Sequence, residues 1–281
     1  MKIIKLAIPL LVALAYGPAQ GWAQSVLGTA DSFAVLAGQT VTNTGTSVIN
    51  GSVGVSPGSA VVGFPPGIVT PPGTINAGDA VATQAQSDLV TAYNSLAGLA
   101  PTSVLTGQDL GGLTLTSGTY FFASSAQLTG TLTLDAQGSS NAFWVFQIGS
   151  TLTTASASDV NFINGSQAPV FWQVGSSATL GTGSDFIGNI VALTSITLTT
   201  GVDIACGGAL ARNGSVTLDT NTISAGCNNA MIIGDVGGSG GVVAVTPVPE
   251  PEIYAMMGIG LGLLGFAARR RQKKEQEAAS A

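Results

Sequence analysis

The chain has 281 residues, 8% of them charged and 45% hydrophobic, with 39 glycines and a formal net charge of −6. That hydrophobic content excludes a disordered chain, and scarce charge with abundant Gly, Ser and Thr points to an all-β repeat protein. Between Gln24 and Pro247 stand ten Asp, no Glu and one basic residue, Arg212, which excludes nucleic-acid binding, and the absence of His removes the commonest general base and metal ligand.

Residues 1–23 read as a signal peptide, with Lys2 and Lys5 at its start, an apolar stretch from Ile8 to Ala15, and Gly21-Trp22-Ala23 before a cleavage point. Signal peptidase is the partner this implies. One domain is expected over 24–232. Ala37 to Gly63 suggests strands with Gly turns, hence solenoid coils, and Pro65-Pro66 and Pro71-Pro72 frame a loop. Asp79 to Ala97 then breaks the β pattern. Val81, Ala85, Leu89, Ala92 and Leu96 form one apolar stripe of a helix, with Gly98 as its C-cap and Pro101 preventing continuation.

A three-residue pattern, apolar-Thr-Leu, follows six times, its middle residues being Thr114, Thr133, Thr151, Thr179, Thr197 and Thr217. Only Ser150 breaks the apolar first place. Spacings of 18 to 20 residues between the leucines fit one solenoid coil each, and a gap of 28 fits a coil with an insertion near Asn164-Gly165-Ser166-Gln167. Alternation along a strand turns the flanking residues inward and each Thr outward, so in-register coils would build a ladder of six threonines. The next outward positions include Thr153 and Thr199, and a further column is expected at Thr154, Thr182, Thr200 and Thr220. Runs such as Phe143-Trp144-Val145-Phe146 and Val170-Phe171-Trp172 are assigned to core packing. Asp185, Asp203 and Asp219 are expected near one another, as solvated corner residues without a basic partner.

In an exported chain Cys206 and Cys227 are expected to form a disulfide, and two cysteines without His are too few for a zinc site. No metal, cofactor or catalytic group is predicted. A Gly/Pro-rich linker is expected over 233–247. Val248-Pro249-Glu250-Pro251 then precedes sixteen uncharged residues, 253–268, and the basic cluster Arg269-Arg270-Arg271, with a cytoplasmic tail over 275–281. The uncharged helix would reach about 24 Å, slightly short of a hydrocarbon core of about 30 Å. The order of these parts over 248–274 resembles the PEP-CTERM sorting signal of Gram-negative bacteria. That resemblance implies transient inner-membrane insertion, processing by an exosortase, and delivery to the cell surface or extracellular matrix.

Leu27-Gly28 through Phe33-Ala34-Val35-Leu36-Ala37-Gly38, Ala85-Gln86-Ser87-Asp88-Leu89, Leu128-Thr129-Gly130-Thr131-Leu132-Thr133-Leu134-Asp135 and Phe171-Trp172-Gln173-Val174-Gly175 resemble the DUF3494 ice-binding protein family. The resemblance implies a β-solenoid of roughly triangular cross-section, all-β with one long helix packed along the coil stack. It also implies adsorption to ice through one flat, Thr-rich face, here Thr151, Thr153, Thr154, Thr179, Thr182, Thr197, Thr199, Thr200, Thr217 and Thr220. Strong members carry Thr-Ala/Gly-x-Thr/Asn on that face, whereas the fourth place here is Ala157, Asp185 or Asp203. The expected partner is an ice crystal surface. The alternative is a structural or adhesive role in a biofilm matrix, with extracellular polysaccharide as partner. A non-enzymatic function is expected in both cases.

Overall fold

The structure, a computed structural model, describes residues 25–165, 168–226, 231–233 and 242–244. Three parallel sheets of nine, seven and eight strands wrap one core. Each coil contributes one strand to each sheet in turn, as in Asn189–Ala192, Ile196–Leu198 and Asp203–Cys206. Parallel pairing in register brings successive coils about 4.8 Å apart and gives the triangular solenoid expected from the repeat.

The coils do not stack in chain order. Phe33–Ala37, Thr40–Thr44 and Val48–Asn50 pair with the last coil of the chain, at Ala209–Ala211, Val216–Asp219 and Thr222–Ser224. From there Ser52–Val55, Ala60–Val62, Ile68–Thr70 and Ile75–Ala77 continue to one end of the stack. The chain then returns through the helix and restarts at the opposite end with Ser103–Val104 and Thr114–Thr116. The first coil is thus held inside the stack, between strands more than 150 residues apart in sequence.

The helix covers Ala80–Ala97, with the Asp79 side chain accepting from the Ala82 N–H at 2.8 Å as N-cap. Gly98 is its C-cap, in the right-handed region. Eighteen residues span about 27 Å. Ala85, Leu89, Ala92 and Leu96 pack on Leu36, Val145, Phe171, Val191 and Leu210, the outward side chains of the nine-stranded sheet. The predicted stripe holds except at its first member. Val81 is 56% exposed, and Ala82 takes the buried place, because the turn set by the Asp79 cap rotates Val81 to solvent. Three glutamine and aspartate contacts fasten the helix. The Gln147 side-chain amide donates to the carbonyls of Leu96 and Leu99 at 2.7 and 2.8 Å, satisfying helix-end acceptors that would otherwise be buried and unpaired. Gln86 donates to Ala211 O at 3.1 Å. Asp88 accepts from the Thr29 N–H and hydroxyl at 2.8 and 2.6 Å.

The interior face of the same sheet carries a file of three rings on successive coils, Tyr120, Phe146 and Trp172, and Phe186 of the eight-stranded sheet packs on the last of them. Tyr120 and Phe146 lie 5.6 Å apart between centroids, Phe146 and Trp172 4.0 Å, and Trp172 and Phe186 4.8 Å. The indole N–H groups of Trp144 and Trp172 donate to the Leu115 and Ile187 carbonyls at 3.1 and 2.9 Å. The aromatics are core, as the sequence suggests, although Phe171 lies in the layer beneath the helix.

Two expectations about connections change. The expected single long coil is a pair of coils with stacked corner loops. Gly138 N–H donates to Asn164 O at 2.8 Å, and the Asn164 side chain donates to Asp135. Within the expected flexible linker, Val242–Ala244 pairs antiparallel with Met231–Ile233. Short apolar runs, Met231-Ile232-Ile233 and Val242-Val243-Ala244, stand on both sides of the glycines and pair there. The signal peptide, the sorting motif Val248 to Pro251, the apolar stretch 253–268 and Arg269 to Arg271 lie outside the described residues. Among the described residues no helix is long and apolar enough to cross a membrane.

Leu89→Ala should lower unfolding free energy by about 2–5 kcal/mol, because it empties a fully buried site between helix and sheet. Val81→Ala should cost less than about 0.5 kcal/mol. Urea unfolding of both variants checks the assignment of the buried stripe.

Candidate functional site

The three faces differ in what they offer to solvent. The nine-stranded sheet is covered by the helix. The other two are open, and their outward columns can be read from the pairing register.

On the seven-stranded sheet, Thr153, Thr179, Thr197, Thr217 and Thr42 occupy one column, flanked by Gln127 at one end and Val62 at the other. Five threonines at the inter-strand spacing make a row about 19 Å long. Among the described residues their hydroxyls have no protein partner, so their hydrogen-bonding capacity faces outward. A second hydroxyl row runs beside it along Ser125, Thr151, Ser177, Ser195, Ser215 and Thr40. This row is internally bonded. Thr151 donates to Ser125 Oγ and Thr40 to Ser215 Oγ, both at 2.8 Å, while the Ser215 and Ser195 N–H groups donate to Ser195 and Ser177 Oγ at 3.1 and 3.3 Å. On the other side of the central row Thr44 pairs with Asp219. Thr199 donates to Leu180 O at 2.7 Å. Gly181 directly follows the strand Ala178–Leu180, and a Cβ there would stand 2.5 Å from the Ala155 carbonyl carbon. Only glycine lets the chain pass that close.

The expected six-threonine ladder is therefore two columns. Thr114 and Thr133 pair in the eight-stranded sheet, while Thr179, Thr197 and Thr217 belong to the seven-stranded one. Thr151 is displaced from the central row by two places. Leu152 takes the first inward position, opposite Ala178, so that Thr153 is the outward residue of that coil. Thr154 then falls on the inward place held by leucine in the neighbouring coils, and it is only 4% exposed. Its hydroxyl is satisfied there by Ser184 Oγ at 3.1 Å and by the Gly181 N–H at 2.8 Å. Thr154 has no access to an external surface. Thr182, Thr200 and Thr220 are exposed at the corner between the two open sheets, not on the row. Thr182 donates to Thr199, and Thr200 and Thr220 both donate to Asp219. Thr42 was not among the expected residues. Its signal was the alternation Thr40-Val41-Thr42-Asn43-Thr44, which matches the open sheet's pattern.

The eight-stranded sheet is the charged face. Asp159, Asp185 and Asp203 stand in register on three consecutive coils. Asp219 is not with them but on the edge of the threonine sheet, one sheet earlier in its coil. Burial, and then the adjacent Asp185 carboxylate, raise the pKa of Asp203 above its ordinary value. Among the described residues no group of three or more His, Cys, Asp or Glu could hold a metal ion. Cys206 is disulfide-bonded, and the chain's other cysteine, Cys227, lies outside the described residues.

A family model described as ice-binding-like matches residues 35–224, the whole of the coil stack between its first and last pairing strands. The chain belongs to the ice-binding-like family. A second model, the PEP-CTERM protein-sorting motif, matches residues 247–271. The ice-binding protein of Nostoc sp. (strain HG1) is 59% identical over 250 residues, covering 89% of this chain and 88% of that protein. Ice-binding protein 1 of Shewanella frigidimarina (strain NCIMB 400) is 34% identical over 229 residues, 70% of this chain and 26% of its own longer one. Among solved structures, an ice binding protein from an Antarctic biological consortium superimposes with a TM-score of 0.68 at 42% identity, covering 79% of this chain and 96% of that one. The ice-binding protein of the Antarctic ascomycete Antarctomyces psychrotrophicus gives a TM-score of 0.69, also at 42% identity, over 72% and 98% of the two chains.

The aspartate column makes a testable electrostatic difference between the faces. A carboxyl whose folded pKa is raised binds more protons folded than unfolded, so it lowers stability as pH rises through that window. Asp203→Asn should therefore raise the melting temperature at neutral pH by about 1 °C, the scale of a few tenths of a kcal/mol for a partly exposed like-charge contact. The gain should vanish as the solution is acidified below the carboxyl range. Calorimetry across pH reads both.

Proposed function

We propose that this chain binds ice through the seven-stranded sheet, with Thr42, Thr153, Thr179, Thr197 and Thr217 as the contact row. The observation that carries this reading is the row itself: five hydroxyls in register with no partner inside the described protein, on an open sheet whose central row is uncharged. Ice presents no net charge and no pocket, so affinity must come from many weak contacts repeated at fixed spacing. Paired backbones supply that spacing, and β-branching restricts each threonine rotamer, so little freedom is lost on docking. The internally bonded row beside it, including Thr151, contributes stiffness to the sheet's edge. Thr182, Thr199, Thr200 and Thr220 are assigned to the rim, where the Asp219 carboxylate accepts from Thr200 and Thr220 and holds its own water.

The aspartate face serves this reading poorly, because carboxylates bind water in arrangements set by their charge. The activity assigned is adsorption, without turnover. A matrix-adhesive role with a polysaccharide partner draws no support from the relatives, which are named as ice-binding proteins. The signal peptide and the sorting motif further lead us to propose export, inner-membrane passage, exosortase processing and presentation at the cell envelope.

Thr179→Tyr and Thr197→Tyr, each made singly, should lower thermal hysteresis and the fraction of protein taken into a growing ice phase several-fold, with unchanged melting temperature. Thr114→Tyr, on the aspartate face, should leave both at the wild-type level. Equal losses from both faces, or none from either, would reject the assignment.

A further inference from the structure

The chain leaves its folded stack at a place that determines which face can point away from whatever holds the tail. After Thr222–Ser224, on the eight-stranded sheet, Ala225 donates its N–H to Asn50 O at 2.9 Å. That contact lies at the corner where the eight-stranded sheet turns into the helix-covered one, at Gly51. A Cβ on Gly51, whose φ is +145°, would meet the Ala225 and Ala34 side chains at 2.9 Å, so the exiting strand is seated tightly in the corner. Cys206 ends its strand at the same corner one coil away, where Gly207 N–H donates to Ser224 O at 3.0 Å. In a three-sided solenoid this corner is opposite the seven-stranded sheet.

The exit also lies within the stack, at the third of eight strands, because the chain's first coil packs directly on its last. A tether there acts on the prism's long edge and not at its tip. The tether is short. The antiparallel pair sets Met231 opposite Ala244, about 5 Å away, so the chain between these two positions adds little to its reach. Extended, the same residues would add more than about 40 Å. What remains is the few residues from Gly226 to Met231 and from Ala244 to the sorting motif at 247.

We infer that the C-terminal tail holds the solenoid by the corner at Gly51, Cys206 and Ala225, so that on the cell the threonine row faces outward and this corner faces the envelope. The inference rests on the ice-binding reading for the meaning of the outward face and on the sorting motif for the anchor. The geometry then makes the protein a bridge, with the cell on one edge and ice on the opposite side. A long flexible linker would have let the domain tumble and lose this polarity.

The test uses the full chain in Gram-negative cells carrying a matching exosortase. Thr179→Cys reports the threonine row and Asn50→Cys reports the corner. Intact cells are treated with a maleimide on a bulky, membrane-impermeant polymer. Thr179→Cys should label several-fold faster than Asn50→Cys on cells, and the two should label alike in chain released from the cells. Inserting a long Gly/Ser segment after Ala244 should erase the difference. Equal or reversed labelling on cells, or no full-domain protein retained on them, would overturn the inference. Polarised labelling on cells that do not adhere to ice would keep the orientation and reject ice as the ligand.

Discussion

Parallel backbone pairing in strict register is the constraint on which the rest of this structure depends. It fixes the distance between side chains in neighbouring coils at about 4.8 Å whatever their separation in sequence. The same pairing aligns the internal rings of Tyr120, Phe146 and Trp172, the buried leucines, and the outward threonines. A slip of one residue in any coil would exchange core and surface along that strand. The core resists such a slip. Large buried rings on one side and Leu on the other leave no alternative register that fills the interior.

The three faces divide the labour that follows from this pairing. One is closed by the helix, whose stripe covers apolar side chains that would otherwise be exposed along the whole stack. One carries aspartates in register, where the Asp185 carboxylate disfavours ionised Asp203. The third keeps hydroxyl and methyl groups in line without charge. The closing of the stack by a late coil against an early one matters for that third face. Val41 and Thr42 pair with Val216 and Thr217, so the row is completed only when the two distant parts of the chain meet.

Much of the fold was legible in the sequence because the signals were periodic. Repeated apolar-Thr-Leu triplets marked coils, and the spacing of Ala85, Leu89, Ala92 and Leu96 marked the helix. The candidate site was less legible, for two physical reasons. Alternation from Leu152 turns Thr153 outward as expected, but the strand runs one residue further, so Thr154 turns inward and is not in a second surface column. Ser150, polar where its counterparts are apolar, was the available warning that the frame there was shifted. The placement of Thr42 depends on which coils meet across the break in chain order. Spacing along a sequence carries no information about that, because the helix can return the chain to either end of the stack. Thr114 and Thr133 were misassigned for a related reason: the triplet pattern is shared by both open sheets, whose inward sides both require apolar residues.

The most direct test of register as the source of the binding surface compares two residues that are neighbours in space and distant in sequence. Thr42→Tyr and Thr217→Tyr lie opposite one another in adjacent strands. Uptake of each purified variant into a slowly grown ice hemisphere, at matched concentration and confirmed fold, is the measurement. Similar several-fold losses from both are expected if the early and late coils form one continuous row. Full uptake by Thr42→Tyr alongside a loss in Thr217→Tyr would show that the row ends at the late coil, and would contradict a surface built by pairing across the chain.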